Sequence, residues 1–252
     1  MTDKTTYRPG EPTWIDLGSH DMEAAITFYR ALFGWTVARG GEELGGYSMF
    51  LQDGKQVGGV GPHMAASQPP SWSTYLSVED IDKTATLVQD NGGQILMDPM
   101  QVMEFGRMAV FADPSGAAIS AWQPQQHHGA ELRDVEGTLI WNDLTSRDQD
   151  AAIAFYQAVF GWRAHQSDDY TEFRLGGDAV AGCMAMPDSV PAEVPSYWLP
   201  YFAAADPAAK AQQVGELGGT ILLPFLDFGT GCCSIVADPQ GAAFGLLTLS
   251  QL

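Results

Sequence analysis

The chain repeats itself, and this duplication constrains its fold more than any other feature. Trp14-Ile15-Asp16-Leu17, Phe28-Tyr29 and Phe33-Gly34-Trp35 return as Trp141-Asn142-Asp143-Leu144, Phe155-Tyr156 and Phe160-Gly161-Trp162, each landmark 127 positions later. Asp113-Pro114-Ser115-Gly116-Ala117-Ala118 returns as Asp238-Pro239-Gln240-Gly241-Ala242-Ala243, 125 positions later, and small loop deletions account for the drift. A chain with such self-similarity builds one structural unit more than once. A weaker repeat lies inside each half. Leu17, Asp21 and Gly34 reappear as Leu76, Asp80 and Gly93, 59 positions on, and Asp148 and Gly161 as Asp206 and Gly219, 58 positions on. The chain therefore reads as four modules in two pairs.

Each module has the pattern of a βαβββ unit. A short strand, Thr13–Leu17 or Thr74–Val78, leads to a helix whose first turn can be capped by Asp21 or Asp80. Ile26, Tyr29 and Phe33 then fall on one helical face, as do Ile81, Ala85 and Val88, and Gly34 or Gly92-Gly93 ends the helix. Trp35–Ala38, Tyr47–Leu51 and Val57–Val60 read as strands separated by glycine turns. The expected fold class is α+β, with tandem βαβββ modules forming one domain over residues 8–123 and another over 137–250. Residues 124–136 lack apolar periodicity and read as a linker.

Composition narrows the partners. With 12 Lys and Arg against 31 Asp and Glu, the 252-residue chain carries a net charge of −19. Phosphate backbones and anionic membranes would repel it. The opening MTDKTTYRPGEP has no apolar core of a signal peptide, and no run reaches the ~18 apolar residues of a membrane span. The expectation is a soluble cytoplasmic protein with no nucleic-acid or membrane partner. Cys183, Cys232 and Cys233 form no disulfide framework or metal-type spacing and read as small core hydrophobes.

The order of these signatures resembles the glyoxalase/bleomycin-resistance/extradiol-dioxygenase superfamily, also called vicinal oxygen chelate proteins. The matching pattern is D-x-x-x-A-x-x-F-Y-x-x-x-F-G-W, then L-S-V-x-D, a Gly-Gly and D-P-x-G before an apolar strand, and it covers both halves. The resemblance implies a cupped mixed sheet from each pair of modules, with a ligand cavity on the concave side. It also implies where metal-dependent members place their ligands. Projected onto this chain, the first-strand positions are Trp14, Ser73, Trp141 and Leu199, and the last-strand positions are Gly58, Ser120, Ala181 and Gly245. None of these supplies the imidazole or carboxylate that a catalytic metal needs. The five histidines, His20, His63, His127, His128 and His165, read as solvated loop residues. No metal and no cofactor are expected.

Strand parity gives a different candidate site, because side chains two apart share a sheet face. If Trp14 points into the first cup, so does Asp16, and Tyr75 stands beside Ser73 as Trp122 stands beside Ser120. In the second cup Trp141, Asp143, Tyr201 and Cys183 are the corresponding set. Arg107 aligns with Cys232 and Trp122 with Leu247, so the first cup has a cation and an aromatic that the second lacks and is the preferred site. Phe28-Tyr29 and Phe155-Tyr156 sit at helical spacing and read as core.

Two aromatic pockets with one carboxylate each suit a small hydrophobic or aromatic ligand. The leading functional expectation is metal-free binding of such a molecule, in a resistance, sequestration or metabolite-binding role. The alternative is a metal-independent lyase or isomerase, or a glyoxalase-like detoxification enzyme, with Asp16 or Asp143 as a desolvated base. A packed core in which Trp14, Trp141 and the two aspartates have no ligand weighs equally with the pocket. The duplicated halves fit either a monomeric pseudo-dimer or a homodimer.

Overall fold

The computed structural model describes residues 2–63, 69–167, 170–188 and 190–249. Residues 64–68, 168–169, 189 and 250 of the two expected domains lie outside this set. After a two-residue strand β1 (Thr2–Asp3), the first module comprises β2 (Pro12–Ser19), α1 (Met22–Phe33), β3 (Thr36–Arg39), β4 (Ser48–Gln52) and β5 (Lys55–Pro62). The second comprises β6 (Ser71–Ser77), α2 (Ile81–Asp90), β7 (Gln94–Val102), β8 (Gly106–Ala112) and β9 (Ala118–Pro124), and a short β10 (Leu132–Arg133) pairs with β1. The second half repeats the plan with β11 (Leu139–Ser146), α3 (Gln149–Phe160), β12 (Arg163–Gln166), β13 (Thr171–Leu175) and β14 (Asp178–Ala185). It continues through β15 (Tyr197–Ala203), α4 (Pro207–Glu216), β16 (Thr220–Asp227), β17 (Gly231–Ala237) and β18 (Ala243–Leu249). Each half forms one eight-stranded mixed sheet, ordered β3-β4-β5-β2-β6-β9-β8-β7 and β12-β13-β14-β11-β15-β18-β17-β16. The α+β fold and its tandem βαβββ modules are as the sequence predicts.

Local chemistry places the helices. The Asp21 carboxylate accepts from the Ala24 amide at 3.0 Å and that of Asp148 from Ala151 at 3.0 Å. Asp80 and Asp206 cap α2 and α4 in the same way. Gly34 and Gly161 end α1 and α3 in the left-handed conformation, φ 74° and 72°.

The helices do not serve only their own sheets. α1 packs Tyr29 and Phe33 against Phe244 of β18, and Phe33 against Phe202 of β15, with ring centroids 5.0–6.2 Å apart. Ala211 and Val214 of α4 belong to the same buried cluster, whereas α3 joins α2 and the inner face of the first sheet in a second cluster. The sheets meet where the Thr74 hydroxyl donates to Asn142 Oδ1 at 2.9 Å.

The motif residues are the clasps of this shared core. The Tyr29 hydroxyl donates to Asp238 Oδ2 of the other half at 3.2 Å and accepts from Trp72 Nε1. In the mirror arrangement Tyr156 donates to Asp113 Oδ2 at 3.1 Å and accepts from Trp198 Nε1. Trp35 Nε1 donates to the Gly137 carbonyl and Trp162 Nε1 to the Gly10 carbonyl, at 3.1 and 2.8 Å. Each Phe-Gly-Trp tryptophan thus holds the glycine from which the other half enters its first strand. Both glycines have positive φ, and a Cβ on Gly10 would lie 2.7 Å from the Phe160 carbonyl.

Candidate functional site

The outer face of each sheet, turned away from the helices, carries the expected side chains at its centre. In the first cup Trp14 Nε1 donates to the Tyr47 hydroxyl at 2.9 Å, which donates to Asp16 Oδ2 at 3.2 Å. The Tyr75 hydroxyl reaches the same oxygen at 2.9 Å. Ser73 also bonds the Asp16 carboxylate, and Ser120 bonds the Tyr75 hydroxyl. The second cup repeats the cradle, with Trp141 Nε1 and the Tyr170 hydroxyl both donating to Asp143 Oδ1, at 2.9 and 2.7 Å. Trp141 Nε1 is shared with the Tyr170 hydroxyl at 2.8 Å, and Tyr201 bonds the carboxylate as well.

The glycines opposite these carboxylates explain how the tyrosines reach them. Asp16 pairs with Gly59 and Asp143 with Gly182 across parallel strands. A Cβ on Gly59 would lie 1.9 Å from the Tyr47 hydroxyl, and one on Gly182 would lie 1.8 Å from that of Tyr170. The missing side chain is the space that the phenol fills.

Tyr47 and Tyr170 were not among the sequence candidates. The available signal was a tyrosine recurring immediately before an equivalent strand in both halves, Tyr47-Ser48 and Tyr170-Thr171.

Three sequence expectations are corrected. Gly58 and Ala181 face the helices, not the cup, because β5 and β14 each carry a bulge that inserts one residue, Val57 and Val180, and reverses the parity beyond it. The same bulge turns Cys183 into the helix-side core, where it is fully buried. Arg107 shares its face with Ala109 and Phe111, both packed towards the helices, and its guanidinium binds Asp82 of α2 at 2.6 and 3.0 Å. Met108, beside Trp122 in the register, lines the cup in its place. Trp14, Asp16, Ser73, Tyr75, Ser120 and Trp122 converge as expected, as do Trp141, Asp143 and Tyr201.

The solvated reading of His127, in the segment that joins the halves, is a fourth correction. Ala130 and Leu132 are buried, and backbone bonds from Ala130 to Thr13, from Glu131 to Gln56 and from His127 to Phe105 tie this segment over the first sheet. His127 is not solvated. Its ring meets Trp14 edge-on, centroids 4.5 Å apart, its carbonyl accepts from Trp122 Nε1 at 2.8 Å, and burial pushes the imidazole down to about 4.

Burial also raises both aspartates against the lowering effect of the hydroxyls, Asp16 to about 6. A carboxyl whose folded pKa lies above its unfolded value binds its proton more tightly in the native state. The stability this gives is complete below the unfolded value and is lost as pH rises through about 6. Asp16→Asn should therefore flatten the pH dependence of unfolding. Wild type is expected to lose roughly 2–3 kcal/mol more than the variant between pH 4 and 7.5. Parallel urea titration curves for the two proteins would contradict this assignment.

The donors at the positions implied for metal ligands do not fit a metal. Trp14, Ser73 and Ser120 offer an indole and two hydroxyls, and Gly59, which faces the cup where Gly58 was expected, offers no side chain. Among the described residues no three His, Cys, Asp or Glu side chains converge. Each cup has one carboxylate, committed to tyrosine hydroxyls.

Comparisons with known proteins place these features. Residues 12–120 match the model of the Glyoxalase/Bleomycin resistance protein/Dioxygenase superfamily, and residues 141–247 match that of the Glyoxalase-like domain. The chain is 38% identical to the Mycobacterium tuberculosis protein CFP32, whose name carries a provisional glyoxylase assignment, over 98% of both chains. It is 34% identical to the anthracycline biosynthesis protein DnrV of Streptomyces peucetius, over 98% of this chain and 96% of that protein. The Mn(II)-bound glyoxalase of Novosphingobium aromaticivorans shares the fold with a TM-score of 0.67 at 14% identity, over 95% of this chain and 82% of that one. The 2,3-dioxygenase LapB of Pseudomonas sp. KL28 does so with a TM-score of 0.63 at 15% identity, over 94% and 91%.

Proposed function

The chain belongs to the glyoxalase/bleomycin resistance protein/dioxygenase superfamily, and from that premise we propose that it binds a small hydrophobic or aromatic molecule without a metal. The observation that carries this reading is the cradle itself. The positions that would supply ligands hold residues that bring two phenols onto one carboxylate, leaving an aromatic wall with a single acceptor. Such a lining suits a planar ligand held by ring contact and oriented by one donated hydrogen bond. A relative named for anthracycline biosynthesis supplies a reasonable probe class, flat polycyclic aromatics with hydroxyl groups.

Titration with dihydroxyanthraquinones is expected to quench tryptophan fluorescence saturably and raise the melting temperature, since a ligand bound only by the native state stabilises it by mass action. Trp14→Leu and Trp141→Leu should each weaken the response, whereas Lys83→Ala, on the exposed surface of α2, should not. Metal analysis of the purified protein should give well under one Zn, Ni, Fe or Mn per chain, with a chelator leaving the unfolding midpoint in place. A flat response across a broad aromatic panel sinks the reading, and one tightly held metal per chain sinks its metal-free form.

One observation favours a second reading. Asp16, with a pKa of about 6, is poised to act as a general base, and a lyase or isomerase would use it to abstract a proton from an activated C–H. Asp16→Asn separates the two, since an amide preserves shape but cannot take the proton. Binding alone should largely survive the change, whereas turnover or solvent deuterium exchange should fall ~10²–10⁴-fold.

A further inference from the structure

The two cups differ in one respect that the duplication does not explain. Trp141 is partly exposed and packs against the cluster that contains Tyr201 and Leu247. Its counterpart Trp14 is buried beneath the loop of residues 125–128. Gln125, Gln126 and His128 of that loop are exposed, and His127 is the residue turned in. Its imidazole stands edge-on to Trp14 at 4.5 Å and to Trp122 at 5.7 Å, centroid to centroid. These are distances at which aromatic rings pair.

The fit is incomplete, because His127 Nε2 is buried with no hydrogen-bond partner. A buried polar atom left unpaired costs free energy that exposure to water restores. The backbone of the loop is held well along its length. The His127 and Gln125 amides bond the Phe105 carbonyl, the Tyr7 hydroxyl bonds the Ala130 carbonyl at 2.6 Å, and the Thr13 hydroxyl bonds the His128 carbonyl at 2.8 Å. A segment whose backbone is anchored even at His127, through its amide to Phe105 and its carbonyl to Trp122 Nε1, thus carries one poorly satisfied ring between two tryptophans.

We infer that His127 occupies the seat of an aromatic ligand in the first cup, so that a planar hydroxylated aromatic enters there by displacing it, while the second cup takes the same ligand directly. This rests on the binding function proposed above. The physical consequence is an affinity penalty. If the binding-competent state of the first cup is populated only when the loop is out, the apparent dissociation constant is raised by the inverse of that population.

The test uses 1,8-dihydroxyanthraquinone, titrated by calorimetry into full-length protein carrying Trp141→Leu, which confines binding to the first cup. Adding His127→Ala is expected to tighten binding roughly tenfold, and Trp14→Leu on top of both should abolish the gain. Hydrogen exchange gives a second readout that needs no loop variant. In the Trp141→Leu protein, saturating ligand should speed exchange at the His127 amide while slowing it in β2 and β6. Equal or weaker binding in the His127→Ala protein overturns the inference, weaker binding making His127 a ligand contact. Unchanged His127 exchange on binding overturns it too. Saturable binding to wild type with neither effect leaves the proposed function standing without it. No binding to any of these proteins removes both.

Discussion

Replacing Gly182 by alanine should be among the most damaging single-methyl additions possible in this protein. The added Cβ would lie 1.8 Å from the Tyr170 hydroxyl and 2.3 Å from Asp143 Oδ1, so phenol and carboxylate must separate. The backbone does not demand glycine here, because Gly182 is not among the positive-φ residues, and the effect is therefore steric. Overpacking costs about 1–3 kcal/mol, and a buried carboxylate deprived of a donor costs about as much again, so a loss of roughly 3–5 kcal/mol is expected by urea denaturation. Removing the obstructing ring should offset the clash. The double variant Gly182→Ala/Tyr170→Ala should lose less than the two single losses together. A Gly182→Ala midpoint equal to wild type, or simple additivity in the double variant, would show that Tyr170 does not occupy this space in solution.

Trp162→Ala should be comparably severe and should weaken both halves at once. The indole is 2% exposed, stacks on Tyr156 at 5.1 Å, contacts Phe173 and Trp198, and donates to the Gly10 carbonyl of the other half. Truncating such a side chain typically costs about 3–5 kcal/mol, and here it also strands a carbonyl. Because α1 and α3 pack in clusters that include residues of both sheets, unfolding is expected to remain a single transition, shifted as a whole. Fluorescence of the remaining tryptophans and far-UV circular dichroism should report the same midpoint. Two separated transitions, with only the second half affected, would show that the halves are independently stable.

The organisation of the site was legible in part. Parity along β2 and β11 correctly placed Trp14 with Asp16 and Trp141 with Asp143 on one face, because those strands are regular over these residues. Projection by distance from the module landmarks fails on β5 and β14 because Val57 and Val180 are extra residues, and a single insertion reverses every later side chain, so Ala181 and Cys183 share a face but the helix-side one. Neither bulge announces itself in the residue types. Arg107 was placed by alignment with Cys232. Its strand pairing instead puts it beside Gln123 and Gln101, on the helix side with Asp82.

What the sequence determined by itself is whatever depends on neighbours along the chain: the four modules, the aspartate caps, the glycine helix ends, the alternation within regular strands and the family they spell out. Only the tertiary structure decided which residues from distant elements share a point in space. It brought Tyr47 and Tyr170 into the vacancies above Gly59 and Gly182, and clasped Trp35 and Trp162 to glycines in the opposite halves. It also turned a polar, aperiodic segment into a strap with His127 beneath it. The physical reason is that a glycine, a tyrosine before a strand and a histidine in a loop are each locally unremarked. Their roles arise from the volume and hydrogen-bonding capacity left unfilled by partners 12 to 152 residues away, a quantity defined only after the two sheets have packed.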